Sequence, residues 1–174
     1  MKTRTESILL VMNVLAWVAF FALMVKAGAY LFSYVMTIIN PEAVKNFYAG
    51  LSLFDLKQFS FWHYTLLVAL MVAVPALQAY IAYLIIKLFS KIKLTNPFTV
   101  DVAAIMEKIS QVILGTWVVV LLYDLHIYWL MKKVQGLQLQ YVSGEFIFLA
   151  GVVFVFAQIF KRGVEIQSEN ELTV

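Results

Sequence analysis

Four long apolar runs, broken by short polar interruptions, organise the chain. They cover about Ile8–Ala27, Phe61–Ile86, Ile105–Leu130 and Glu145–Phe160, and their flanks read as extensions of the same helices. A hydrocarbon core about 30 Å thick takes roughly 20 apolar residues in a helix. The pattern therefore predicts an all-α integral membrane protein. Its single domain, residues 1–174, is a bundle of four transmembrane helices at about 8–39, 61–90, 100–131 and 145–160, with an acidic tail over 163–174. The first run is longer than the 7–15-residue core of a signal peptide and has no clear cleavage site, so it reads as a retained span.

The interruptions say where the helices end. Asn40-Pro41 stops the first, because the residue before proline avoids the α region. Lys87, Lys91 and Lys93 close the second, and Asn96-Pro97 marks the turn after it. Thr99 is placed to cap the third helix, with Asp101 in its favourable first turn. Lys132-Lys133 and Lys161-Arg162 end the last two, with a connector at Val134–Gly144. Pro75 falls inside the second run and predicts a kink near Met71. Pro41–Ser60 mixes Glu42, Lys45, Asp55 and Lys57 with aromatic and aliphatic residues, as expected of a segment lying on lipid headgroups.

Composition narrows the function classes. Only 13% of residues are charged, against about 25% in a soluble domain, so no large soluble part is expected. A net charge of +3 without a basic stripe argues against direct nucleic-acid binding. The absence of cysteine excludes disulfides, thiolate metal sites and a thiol nucleophile. Basic residues are unequally shared between the two sides. Lys2, Arg4, Lys87, Lys91, Lys93, Lys108, Lys161 and Arg162 stand against Lys26, Lys45, Lys57, Lys132 and Lys133, which predicts both termini in the cytoplasm.

Ionisable residues inside spans are costly, and each is a functional hypothesis. With both termini inside, Lys26, His63, Asp124, His126 and Glu145 fall at about one depth near the outer leaflet, ringed by Trp62, Tyr64, Tyr123, Tyr128 and Trp129. In the functional reading Lys26 pairs with Asp124, and His63, His126 and Glu145 bind a metal or sense protons. In the plainer reading Lys26 snorkels, the rings form an interfacial belt and Asp124 has one structural partner. The plainer reading carries more weight, because such ion pairs often only set helix register. Two histidines and two carboxylates without a recognised spacing assign no metal or cofactor. Asn13 and Gln78 read as interhelical hydrogen-bonding groups, and Ala69, Ala73, Ala150 and Gly151 as small faces for close helix contact. No HExxH, GxSxG or glycine-rich phosphate loop is present, so the chain does not read as an enzyme.

Two stretches carry a resemblance. One is Asn96-Pro97-Phe98-Thr99-Val100-Asp101, leading into Ile105-Met106-Glu107-Lys108-Ile109. The other is the tail from Phe160-Lys161-Arg162 through Glu165, Glu169 and Glu171 to Leu172-Thr173-Val174. Together with the span layout of the whole chain they resemble the bacterial membrane family catalogued as domain of unknown function 2975. Its members have four predicted spans, a "PFT" turn before the third and an acidic tail closing on "LTV". Asp101, Ser110 and Gln158 depart from the residues common there, namely Asn, Gly and an acidic residue. The resemblance implies a bacterial inner-membrane location. It also implies a partner, since members are often encoded beside a small helix-turn-helix regulator that a membrane protein would hold or antagonise. Asn96, Pro97, Phe98, Thr99, Asp101, Glu165, Glu169 and Glu171 would then form the docking face. The alternatives are sensing or transport of a small solute or protons through Lys26, His63, Asp124 and His126, or a packing subunit. Self-association is left open.

Overall fold

Backbone N–H and C=O groups find no partner in lipid, so each apolar run must satisfy its own as an unbroken helix. The computed structural model describes residues 4–40, 53–92, 99–134, 137, 139–142 and 146–171. They form α1 (Arg4–Ile39), α2 (Phe54–Phe59), α3 (Phe61–Lys91), α4 (Val100–Lys133) and α5 (Phe146–Glu171), with no strand among the described residues. Ser7–Ile39, Phe61–Lys91 and Val100–Lys133 are long and apolar enough to cross a membrane. α3 continues helically past Pro75. α5 differs from the other long helices. It is apolar from Phe146 to Phe160 and then runs on as a polar helix to Glu171, so its apolar part falls short of the roughly 20 residues of a full crossing. The tail read as a polar extension is thus the last turns of a helix. Lys, Arg, Glu and Gln are good helix formers, and Arg162 pairs with Glu165 one turn on at 2.8 Å.

Neighbours follow chain order. α1 packs chiefly on α3, α3 on α4, and α4 on α5. α1 touches its partner through a narrow seam. Leu9, Asn13, Ala16, Phe20, Leu23, Ala27, Tyr30, Tyr34 and Thr37 are buried or half-buried at alternating steps of four and three. α5 repeats the pattern with Ala150, Val153, Ala157, Phe160, Val164 and Gln167. A 3.5-residue spacing holds one stripe against a neighbouring helix, and the other faces, here mostly exposed apolar residues, are left to lipid.

Polar ties mark these seams. Tyr34 Oη lies 3.2 Å from Thr65 Oγ1 between α1 and α3. Ser110 Oγ donates to the Ala150 carbonyl at 3.2 Å between α4 and α5, an approach that the small Ala150 permits. Thr99 caps α4, its Oγ1 accepting from the Val102 N–H at 3.4 Å. Of the small faces read from sequence, Ala150 is buried, whereas Gly151 and Ala69 are exposed and Ala73 is half-buried. Ala79 and Ala82 are the alanines that α3 buries.

One end of the bundle is sealed. Leu53 and Leu56 lie three residues apart, on one side of the short α2, and Leu56 is fully buried. They join Tyr64, Leu67, Ile127 and Leu130 in a core that Leu137 and Leu139 of the α4–α5 connector complete. The described part of Pro41–Ser60 therefore packs its leucines into the end of the bundle as a plug; residues 41–52 fall outside the described residues. Lys57 fastens the plug by donating to the Thr37 carbonyl at 2.6 Å. That carbonyl belongs to the last turn of α1, where carbonyls lack helical partners and a cation is favoured. A smaller core of Leu84, Ile105, Ile109, Ile113 and Ala150 holds the other end.

Leu56→Ala should remove about 2–5 kcal/mol of stability, and lower the thermal unfolding midpoint in detergent by several degrees. An unchanged midpoint would show that α2 is not part of the core.

Candidate functional site

α3 and α4 run antiparallel, so the start of one meets the end of the other. That places His63 beside His126, with ring centroids 5.4 Å apart and the His126 Nε2 3.5 Å from the His63 carbonyl oxygen. Trp129 lies 4.7 Å from His63, and Phe59 lies 6.3 Å from it. Phe59 and His63 are one helical turn apart in sequence, as are His126 and Trp129. His126 and Trp129 therefore share a side of α4, whereas Phe59 reaches His63 across the extended Ser60 that joins α2 to α3.

Next to this cluster, Asp124 and Tyr123 hold the connector. The Val142 N–H donates to Asp124 Oδ1 at 3.0 Å. The Tyr123 hydroxyl donates to the Gln140 carbonyl at 3.4 Å. Asp124 thus has a backbone partner, and it makes no ion pair with Lys26. Against α3 Lys26 lies deeper than His63, yet it stays near Asp124, beside that residue's neighbour Tyr123 and its partner Val142. Lys26 lines a cavity of about 70 Å³ with Tyr30, Met71, Val74, Pro75, Tyr123 and Val142. Met71 lies about 12 Å along α3 from His63 at 1.5 Å per residue. The seam explains the shift: Tyr34 stacks on Tyr64 at 5.6 Å, so Lys26, two turns back along α1, meets α3 well below His63.

The expected aromatic belt divides in two. Tyr64 and Tyr123 belong to the core, at 0% and 7% exposure, whereas Trp62 is 81% exposed. Tyr128 and Trp129 are also exposed, and the Lys132 ammonium sits 4.2 Å from the Tyr128 ring centroid, a cation–π contact. Glu145 lies outside the described residues. Among the described residues no three His, Asp or Glu side chains gather closely enough to hold a metal ion.

The opposite end carries the expected docking face. Asn96, Pro97 and Phe98 fall outside the described residues. Asp101 pairs with Lys91 across the α3–α4 junction at 3.1 Å, both side chains well exposed. On α5, Glu165 and Glu169 are exposed one turn apart, and the backbone of Glu171 ends the helix. Val164 is half-buried. It helps line a groove of about 270 Å³ between the first turns of α4 and the α5 extension, shared with Val100, Ala103, Glu107, Lys161 and Glu165. The tail reads in sequence either as packing under the bundle or as exposed acid. It does both, one face each.

Membrane-length apolar helices in a row, with charged groups gathered towards their ends, define a small multi-helix membrane protein. Residues 37–174 match the model of the family described as Protein of unknown function (DUF2975), and the chain belongs to that family. The match begins in the last turn of α1, so most of α1 lies outside the matched region. No curated protein and no solved structure matches the chain.

Sequence reasoning missed three features: the α2 plug, the Lys57 tie and the Asp124 clamp. Asp124→Ala should raise amide hydrogen exchange of peptides covering 139–142 by roughly tenfold or more, since a hydrogen bond to a charged group is worth about 1.5–3 kcal/mol. Asp124→Asn keeps an acceptor oxygen and should stay closer to wild type. Equal exchange in all three proteins would show that Asp124 does not clamp the connector.

Proposed function

We propose that the protein is a membrane-anchored partner of a small cytoplasmic helix-turn-helix regulator, which it holds or antagonises. In this reading α5, although its apolar part is shorter than the other three spans, makes a fourth crossing of the bacterial inner membrane by thinning the bilayer locally, so that both termini lie in the cytoplasm. It acts by binding and not by catalysis. The observation that supports it best is the polar extension of α5. Glu165 and Glu169 are exposed beyond Lys161-Arg162 while Val164 rests in the groove beside α4. That leaves an acidic helical face beyond the apolar part of α5, on the side of α4 that carries Glu107. An acidic helix suits the basic surface of a DNA-binding domain, and it would compete with DNA for that surface in a salt-sensitive contact. The excess of Lys and Arg at this end supports placing it in the cytoplasm.

A second reading, sensing or transport of protons or a small solute, is favoured by the paired imidazoles of His63 and His126. Against it, the core beside them is apolar: Leu56, Leu67, Ile127 and Leu130 are all fully buried, and the nearby clamp is structural.

The test is co-purification from native membranes, comparing the intact protein with one ending after Arg162. A small DNA-binding protein should be recovered with the intact form and lost with the truncated one. Recovery with both would remove the α5 extension from docking, and recovery with neither would overturn the regulatory reading. Because the chain has no cysteine, Gln167→Cys and Gln140→Cys offer a clean topology check. An impermeant thiol reagent should label the second but not the first in intact cells, and the reverse would overturn the orientation.

A further inference from the structure

Between α3 and α4, at the end opposite the plug, lies a pocket of about 340 Å³ that takes in no residue of the histidine cluster and only Asp101 of the docking face. The side chains of Lys87, Lys91 and Lys108 line it, with Asp101 as its one carboxylate. Asp101 is engaged by Lys91 at 3.1 Å. Lys87 and Lys108 have no carboxylate within ion-pair distance among the described residues. Glu107, beside Lys108 in sequence, lines the groove on the α5 side instead.

The pocket is elongated along the helices. It runs from the Lys91–Asp101 pair to the Tyr80 ring, over which the Lys108 ammonium sits 5.8 Å from the centroid. Tyr80 and Lys91 are about 16 Å apart along α3 at 1.5 Å per residue. The deeper wall is aromatic and apolar, made by Leu84 and by the Tyr80 and Tyr83 rings, which stack at 6.3 Å. Both tyrosines are exposed on the outside of a membrane-length helix. The pocket therefore opens sideways to lipid, with Lys87 and Lys91 towards the helix ends and the rings deeper in, the Lys108 ammonium above Tyr80. Lys108 stands about 12 Å along α4 from its start, on the side where the basic residues gather, and with no carboxylate paired to it among the described residues an anion can complete the site.

We propose that this pocket binds the phosphate of an anionic phospholipid. Lys87 and Lys108 take the phosphate oxygens, with Lys91 at the rim. Tyr80, Tyr83 and Leu84 receive the glycerol backbone and the first part of an acyl chain. Basic pockets between membrane helices bind anionic headgroups in this way, each lysine contributing through charge and hydrogen bonds. The lateral opening and the aromatic lower wall favour a lipid phosphate over a soluble one. The site is separate from the regulatory reading and does not depend on it.

The test is native mass spectrometry of the full-length protein in detergent, titrated with phosphatidylglycerol or phosphatidylcholine of the same chain length. Phosphatidylglycerol adducts should survive at least about tenfold better, and Lys87→Gln with Lys108→Gln should abolish that preference, since each lysine near an anionic headgroup adds about a severalfold gain. Lys87→Arg with Lys108→Arg should keep it, and Lys133→Gln, at the far end, should leave it unchanged. Equal retention of the two lipids, or a preference that survives the double Gln variant with native helix content, would overturn the site. Loss of the phosphatidylglycerol adduct to millimolar inorganic phosphate would overturn the lipid as its occupant.

Discussion

Lipid is as apolar as leucine, so inside a bilayer hydrophobicity cannot tell one helix to stand beside another. Every pairing in this protein has to come from close fit and from a few polar ties. The narrow seams of α1 and α5 follow from that constraint. Alanines recur along them, Ala16 and Ala27 in one, Ala150 and Ala157 in the other, and a serine or tyrosine hydroxyl bridges to the next helix. Each such bond contributes only about 0.6 kcal/mol. The ties therefore set register more than they supply strength. The register set by Tyr34, Tyr64 and Thr65 decides where Lys26 lies, and so which polar residues can meet.

The same constraint makes the two ends of the bundle unlike. At one end Leu53, Leu56, Leu137 and Leu139 close over the helix tips, and nearby polar groups serve that closure. Lys57 neutralises a helix terminus and Asp124 holds a connector amide. Little polar capacity is left there for chemistry. At the other end the core is small, α5 runs on as a polar helix, and charged side chains line open grooves. Binding is better served by the second arrangement, because its charges are accessible and near lipid headgroups and the aqueous phase.

The class of fold was legible in the sequence because a run of twenty apolar residues has few other uses. Asn40 and Thr99 were legible as helix ends for local reasons of backbone and capping chemistry. The fourth run was harder. Lys161-Arg162 followed by Gly163 looks like a stop, yet the helix absorbs the glycine and α5 continues to Glu171. Leu56 lies in a segment whose mixed composition singles out no residue, and only the core beneath α2 reveals its role. The Lys26–Asp124 pair failed for a similar reason. Depth estimated from span ends brings Lys26 near Asp124 but does not say that the connector amide of Val142 takes the carboxylate. Which hydroxyl meets which carbonyl is a tertiary fact that local pattern does not encode.

Helical periodicity accounts for the last feature, the opposite character of the two grooves beside the start of α4. Asp101, Ile105 and Lys108 follow one another at steps of four and three and line the pocket towards α3. Val100, Ala103 and Glu107 recur at steps of three and four and line the groove towards α5. Ala104 lines both. Adjacent residues of opposite charge, Glu107 and Lys108, are thus sent to opposite sides of one helix. Lys108 joins Lys87 and Lys91 on the α3 side, and Glu107 joins Glu165 on the other. An α-helix turns about 100° per residue, so the long side chains of adjacent residues leave it in different directions. This end of the molecule accordingly offers a cationic groove that opens to lipid and an acidic helix beyond it, separated by a single helix.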